Sequence, residues 1–410
     1  CIRGIDMKIV HLVSKDNGGA ARAAFRISAA QNLIGHESSV VVLHKEKNSD
    51  AHELIRTRYG WLLFKAYRKI NELMMKKMNL SGSFYEPIVG LPISSSQLIQ
   101  NADVINLHWV NDGMLTYSEI RKLSLMGKKI IWTMHDMYSF TAGCYYDKEC
   151  GQYKEECGHC ILAKKHIKKH IKLLYKKKKK IYDTTDIAFV GCSHWISKCA
   201  SESALLKNHR VTTIYNPIDR AVFSPVGKED ARKAFNIVTK KKVIIFGAMS
   251  SDSDPRKGFA HLKDALRYLD PERYLLVIFG NDGATTIDTR YEIIEIGKIT
   301  SDRKLACLYS AGDVFVAPSI QENLSNAVME SLACGTPVVA FNIGGMPDLI
   351  KPEYNGYLAK PYDSKDLARG IDRCAEANMT MNCVSYCEKY FDMKTIAKRY
   401  IEYYQGEREA

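Results

Sequence analysis

The sequence predicts an α/β protein made of two Rossmann-like, doubly wound domains. Three observations lead there. Strand-like and helix-like runs alternate from end to end, which argues for βα units on mostly parallel sheets. The series restarts after "TTIYNPIDRAVFSP" (212–225), a connector with two prolines and no helical period. The chain's 410 residues are enough for two domains of ordinary size, each with a sizeable core.

The elements follow in order. "KIVHLVS" (8–14) reads as a strand and is followed by a helix over 19–33. "SSVVVLH" (38–44), "DVINLHW" (103–109), "KKIIWTMH" (128–135) and "IAFVGCS" (187–193) continue the first series. The second series runs through "KVIIFGA" (242–248), "YLLVIFG" (274–280), "IIEIGKI" (293–299), "DVFVAPS" (313–319) and "PVVAFN" (337–342). "MKTIAKRYIEYY" (393–404) is helix-like. The expected domains are 7–215 and 216–390, with 391–410 packing back on the first. Doubly wound sheets bind ligands outside the carboxyl ends of their strands, so the cleft between two such domains is the expected site.

Composition bounds the class. A hydrophobic share of 46% and a charged share of 26% are those of a soluble globular protein. No apolar run reaches the roughly 18 residues that span a bilayer. No signal-peptide pattern opens the chain, and Met7 is the expected natural start. Twelve cysteines are dispersed along the chain, which fits reduced thiols in a cytoplasm better than a disulfide scaffold. The net charge of +13 is local in origin. "KKHIKKHIKLLYKKKKKIY" (164–182) holds ten lysines, and "IRTRYGWLLFKAYRKINELMMKKMNL" (55–80) interleaves cations with apolar residues at helical spacing. Such helices suit anionic lipid, nucleic acid or plain solvation. No nucleic-acid module accompanies them, so lipid is favoured over nucleic acid. The expected location is cytoplasmic, with peripheral attachment to the inner face of the plasma membrane.

The densest motif is "QENLSNAVMESLACGTPVVAF" (321–341). Glu322 falls in the loop after a strand. A helix is expected from Ser325 or Asn326 to about Cys334, since Ser and Asn are good N-caps. Gly335 and Pro337 would stop it. Backbone N–H groups at Leu324, Ser325 and Asn326 would bind phosphate, and Glu322 and Glu330 would accept hydrogen bonds from sugar hydroxyls. Cys144, Cys150, Cys157 and Cys160 form C-x5-C-x6-C-x2-C. That pattern fits a structural zinc, reduced thiols or a loop disulfide. Asp252-Ser253-Asp254 spells D-x-D but precedes Pro255, and reads as a solvated turn rather than a metal site.

Together these blocks resemble the retaining glycosyltransferases of family 4, which have the two-domain GT-B fold. The resemblance rests on "VAPSIQENLSNAVMESLACGTPVVAFNIGGMPDLI" (316–350), "NGYLAKPYD" (355–363), "IYNPIDRAVFSP" (214–225), "DNGGAARAA" (16–24), "LHWVNDG" (107–113) and "WTMHDMYSFTAGC" (132–144). It implies that Glu322 lies beside the donor sugar and that Glu330 binds the nucleotide ribose. Gly18 and Gly19 match the glycine loop that closes over the donor phosphates. His135 matches the histidine near the bond being broken. Lys257, in a Lys-Gly pair, matches one diphosphate cation. The usual place of the second is held by Ala248 and Met249, which leaves Arg256 as the nearby candidate, at an unusual spacing.

The implied activity is transfer of a sugar, with retention, from a nucleoside-diphosphate sugar to a hydroxyl. No cofactor is required. The resemblance further implies a saccharide or lipid-linked acceptor and a role in surface-polysaccharide synthesis. A GT-B-fold sugar-nucleotide epimerase and a non-catalytic basic membrane-binding module are the alternatives. "SKDNGGAARAA" lacks G-x-G-x-x-G, which argues against an NAD enzyme.

Overall fold

The structure is a computed structural model that describes residues 6–47, 49–77, 84–86, 88–247, 254–280 and 290–406. The start of the chain before residue 6, residues 78–80 of the basic stretch, Ala248, Met249, Asp252 and Ser253 lie outside these. The chain forms two units: Cys1–Pro217 with Met393–Ala410, and Ile218–Asp392.

The first unit carries a parallel seven-stranded sheet. Its strands are β1 (Lys8–Leu12), β2 (Glu37–Val42), β3 (His52–Glu53), β4 (Val104–Leu107), β5 (Lys129–Met134), β6 (Ile187–Gly191) and β7 (Val211–Thr213). Their order is 3-2-1-4-5-6-7. The second unit carries β8 (Lys242–Gly247), β9 (Tyr274–Phe279), β10 (Glu292–Glu295), β11 (Val314–Ala317), β12 (Val338–Phe341) and β13 (Gly356–Ala359). Their order is 10-9-8-11-12-13. Counted within each unit, both sheets share the 3-2-1-4-5-6 arrangement of dinucleotide-binding folds. The order reverses beside β1 and β4 in the first unit, and beside β8 and β11 in the second. Those are the switch points where ligands bind.

The central strands are apolar runs because helices cover both faces of a parallel sheet. Every residue of β4, β6, β11 and β12 is buried. The helix Met393–Gln405 packs on Gly19–Leu33 of the first unit and buries Tyr400 and Tyr404 there. The units divide after Pro217, not after Tyr215, because Ile218 donates its N–H to Phe391 O (3.0 Å) and pairs with Asp392. Among the described residues, no helix is long and apolar enough to cross a membrane.

Candidate functional site

In the second unit the site grows from the loops after β8 and β11. The chain leaves the first through a short turn, Pro255–Lys257, capped by Asp254, and enters the helix Phe259–Leu266 at Gly258. Gly258 has φ +71°, and a Cβ there would lie 1.7 Å from Pro318 O. Only glycine lets the two loops approach this closely. Ile320 N–H donates to Arg256 O (2.8 Å) and locks them together. The result sets Lys257 Nζ 2.9 Å from Glu322 Oε2. The turn after β12 braces the other side: Gly344 has φ +52°, and its Cβ would fall 1.9 Å from Glu322 O.

The helix Asn326–Ala333 begins as expected, with Ser325 Oγ accepting from Val328 N–H. Leu324 is buried beneath its start, and Gly335, at φ +82°, follows its end. Glu330 is only 1% exposed, so it is not a solvent-facing helix glutamate. Arg256, the candidate for the second diphosphate cation, lies in the same turn and is paired with Asp254. Its Nε and Nη2 fork onto Asp254 at 2.9 and 2.8 Å, because the tight turn holds the two side chains together.

In the first unit Gly18 (φ +88°) and the exposed Gly19 open the helix Gly19–Leu33 after β1. Nothing lies within 4 Å of a Cβ built on Gly18, so the loop keeps open space there. His135 directly follows β5 and does not stand alone. Its Nε2 is 2.9 Å from His108 Nδ1, His108 Nε2 is 2.9 Å from His11 Nδ1, and His11 Nε2 is 2.8 Å from Gln31 Oε1. Burial pushes His11 and His135 down to about 4 and His108 further in the same direction, so all three rings are neutral near pH 7. Sequence reading missed His11 and His108. In the sequence each is a single histidine in or just after a strand-like run, with nothing local to join it to His135.

The four cysteines of the loop after His135 are free thiols. Burial raises Cys144 and Cys157 to about 12. Among the described residues, no three His, Cys, Asp or Glu side chains form a group that could hold a metal ion. Lys178 also departs from expectation, for it is not part of a solvated basic face. It is fully buried, with Tyr117, Tyr138 and Tyr182 around its ammonium, and it donates to Tyr138 O and to Thr141 O (3.0 Å). Tyr182 Oη donates to Ser139 O (2.8 Å), so the basic helix Lys168–Tyr182 holds the loop that follows His135.

Comparison with known proteins agrees with this architecture. Residues 227–390 match the family model described as glycosyl transferases group 1. The second unit belongs to that family. An uncharacterised glycosyltransferase of Methanocaldococcus jannaschii is 30% identical over 178 residues, covering 40% of this chain and 44% of the relative. D-inositol 3-phosphate glycosyltransferase of Mycobacteroides abscessus is 28% identical over 174 residues, covering 40% and 38%. The matches thus span less than half the length of these curated relatives. Over nearly the full chain, the fold is that of Anabaena HepE in complex with UDP-glucose. That likeness has a TM-score of 0.65 and 16% identity, and covers 98% of this chain and 100% of that one. Sucrose-phosphate synthase from Thermosynechococcus elongatus matches equally, with a TM-score of 0.65, 17% identity and coverage of 97% and 98%. The fold is GT-B.

Proposed function

We propose that the chain is a retaining glycosyltransferase. It moves a sugar from a nucleoside-diphosphate donor to a hydroxyl of a saccharide or lipid-linked acceptor. The observation that carries this reading is the Lys257–Glu322 pair at 2.9 Å, at the switch point of a sheet with dinucleotide-binding order. An ammonium there meets the negative charge that grows on a departing diphosphate. Carboxylates at Glu322 and the sequestered Glu330 accept hydrogen bonds from sugar and ribose hydroxyls. First-turn N–H groups of the helix Asn326–Ala333 serve the phosphates.

In the reaction the acceptor oxygen bonds to the anomeric carbon on the face from which the diphosphate leaves. The bond from that carbon to phosphate oxygen breaks, and the acceptor's proton passes to a phosphate oxygen. The second unit binds the donor, and the first binds the acceptor and contributes His135. No metal or cofactor enters this scheme.

A membrane-borne acceptor is favoured by one face of the helix Arg58–Lys77. Tyr59, Leu62, Ile70 and Leu73, spaced by three, eight and three residues, fall on one face of that helix and are exposed, with Arg58, Lys65, Lys69 and Lys76 alongside. Apolar groups beside cations suit an anionic bilayer surface. Surface-polysaccharide synthesis on the inner face of the plasma membrane is the setting this implies.

A thermal-shift screen of UDP-, GDP- and ADP-glucose tests the donor site. A ligand at a hundredfold excess over its Kd adds about 2.7 kcal/mol of apparent stability. The expected result is a rise with one nucleotide that is lost in Lys257→Ala and Glu330→Gln. A rise that survives both substitutions would refute the assignment. Glu322→Gln should bind donor yet transfer far less sugar, which separates this reading from a non-catalytic module. Absence of isomerised donor in the same mixtures separates it from an epimerase.

A further inference from the structure

We propose that His11 and His108 are positioning residues that hold His135 as its Nε2–H tautomer, through a hydrogen-bonded chain that starts at Gln31. This rests on the reading above for His135's place beside the donor, and it names what sets that side chain's chemistry.

The argument begins with topology. His11 lies within β1, His108 directly follows β4 and His135 directly follows β5, three strands that are neighbours in the sheet. The rings therefore form a row across the switch point. The His11 and His108 ring centroids are 5.1 Å apart, and those of His108 and His135 are 5.2 Å apart. Each link joins Nδ1 of one ring to Nε2 of the next. A neutral imidazole has one donor and one acceptor nitrogen. Fixing the proton on one ring therefore fixes it on all three.

Gln31 decides which way the row points. Its Oε1 is the atom facing His11 Nε2 (2.8 Å), and it also accepts from Ser38 Oγ (2.8 Å). Its Nε2 donates to the Tyr404 hydroxyl oxygen (3.2 Å). That oxygen takes a second hydrogen bond from Asn106 Nδ2 (2.8 Å), whose own Oδ1 accepts from Thr133 Oγ1 (2.9 Å). With Gln31 Oε1 as acceptor, His11 must donate from Nε2. His108 then donates from Nε2 to His11 Nδ1, and His135 from Nε2 to His108 Nδ1. His135 Nδ1 is left as the lone-pair nitrogen.

The opposite polarity would place the proton on Nδ1 of every ring and turn the amide of Gln31 around. A glutamine carbonyl accepts a hydrogen bond but does not take up a proton. The row is therefore a brace with no outlet rather than a proton wire. Gln31, Ser38, Asn106 and Thr133 are all buried, so water does not compete for these partners.

Nitrogen-15 NMR of histidine-labelled full-length protein reads the tautomers directly. In the wild type, His11, His108 and His135 should each show a protonated Nε2 and a bare Nδ1. A bare Nε2 on His135 overturns the proposal. In His108→Phe, which keeps a ring in place but cannot accept from His135, the His135 signal should become a tautomer mixture. The same should hold in His11→Phe for His108, a second route if the first variant fails to fold. An unchanged His135 signal in folded His108→Phe also overturns the proposal.

Turnover is read as UDP released from UDP-glucose. It should fall about ten- to hundredfold in His108→Phe, with KM within about threefold, as expected for lost orientation rather than lost binding. A proportionate rise in KM with kcat intact counts against positioning. The tautomer readout needs no sugar nucleotide. A wild type that holds the Nε2–H form yet turns over no donor overturns the transferase reading alone.

Discussion

Replacing Gly344 by alanine should unsettle the second unit by about 2 to 5 kcal/mol. Two contributions make up that figure. An L-residue held at φ +52° pays about 1 to 2 kcal/mol for the left-handed backbone. The new methyl would also sit 1.9 Å from Glu322 O and 3.1 Å from Glu322 C. Both are backbone atoms, so no side chain can swing aside, and forcing such a contact costs about 1 to 3 kcal/mol. The loop bearing Glu322 must therefore shift, and with it the carboxylate beside Lys257. Urea unfolding of the full chain, followed by a probe for each unit, measures the loss. Gly127→Ala is the control. Gly127 has φ +69° with nothing within 4 Å of its Cβ, so it should show only the backbone cost. If Gly344→Ala loses no more than Gly127→Ala, the packing argument is wrong.

Acidification should loosen the first unit. His11 has a folded value of about 4 against its usual 6.5, so the unfolded chain takes the proton first. The contribution is complete above about pH 6.5 and is lost as the pH falls towards 4. At pH 5 the loss from His11 is about 2 kcal/mol, and His11→Phe should flatten the acid limb of a plot of Tm against pH. An equally steep limb in the variant would refute this. Lys178 works in the alkaline range, since burial lowers it from 10.5 to about 7. The unfolded chain holds more protons between those values, so stability should rise with pH across that window, and Lys178→Met should remove the rise. The basic helix Lys168–Tyr182 offers a membrane test of its own. Exchanging the exposed Lys169, Lys172, Lys176 and Lys180 for Gln, with Lys178 retained, should weaken pelleting with anionic vesicles at low salt without lowering Tm. Leu62→Ser with Leu73→Ser should weaken pelleting at all salt concentrations.

The strands were legible because central parallel strands are buried on both faces and read as apolar runs. "IAFVG" and "VFVA" need no context to be recognised. β3, β7 and β13 were harder, being only two, three and four residues long and lying at or near sheet edges, where partners decide more than composition. The helix after Glu322 was legible to within a residue at each end, since Ser325 and Gly335 mark its ends chemically. The burial of Glu330 was not, because a helix that is sunk on most sides looks like an amphipathic one until its neighbours are known. Lys178 could have been found. Ile171, Leu174, Tyr175 and Tyr182 mark the inward stripe of their helix, and Lys178 falls on it at the i+3 step from Tyr175. The histidine row could not have been read locally. The strand register sets His11 opposite Asn106, and the link to His108 spans 97 positions of sequence.

The return of the helix Met393–Gln405 to the first unit has a consequence for how the protein is made. Gln31 and its partner Tyr404 are separated by 373 positions, and the whole of the second unit is synthesised between them. On the ribosome the amino-terminal sheet can assemble early, but the phenol that orients the glutamine arrives only after the inserted unit has emerged. Nascent chains stalled before that helix should therefore carry an incompletely plugged, chaperone-sensitive first unit. The second, whose ends meet at Ile218 and Asp392, should already be able to close on itself.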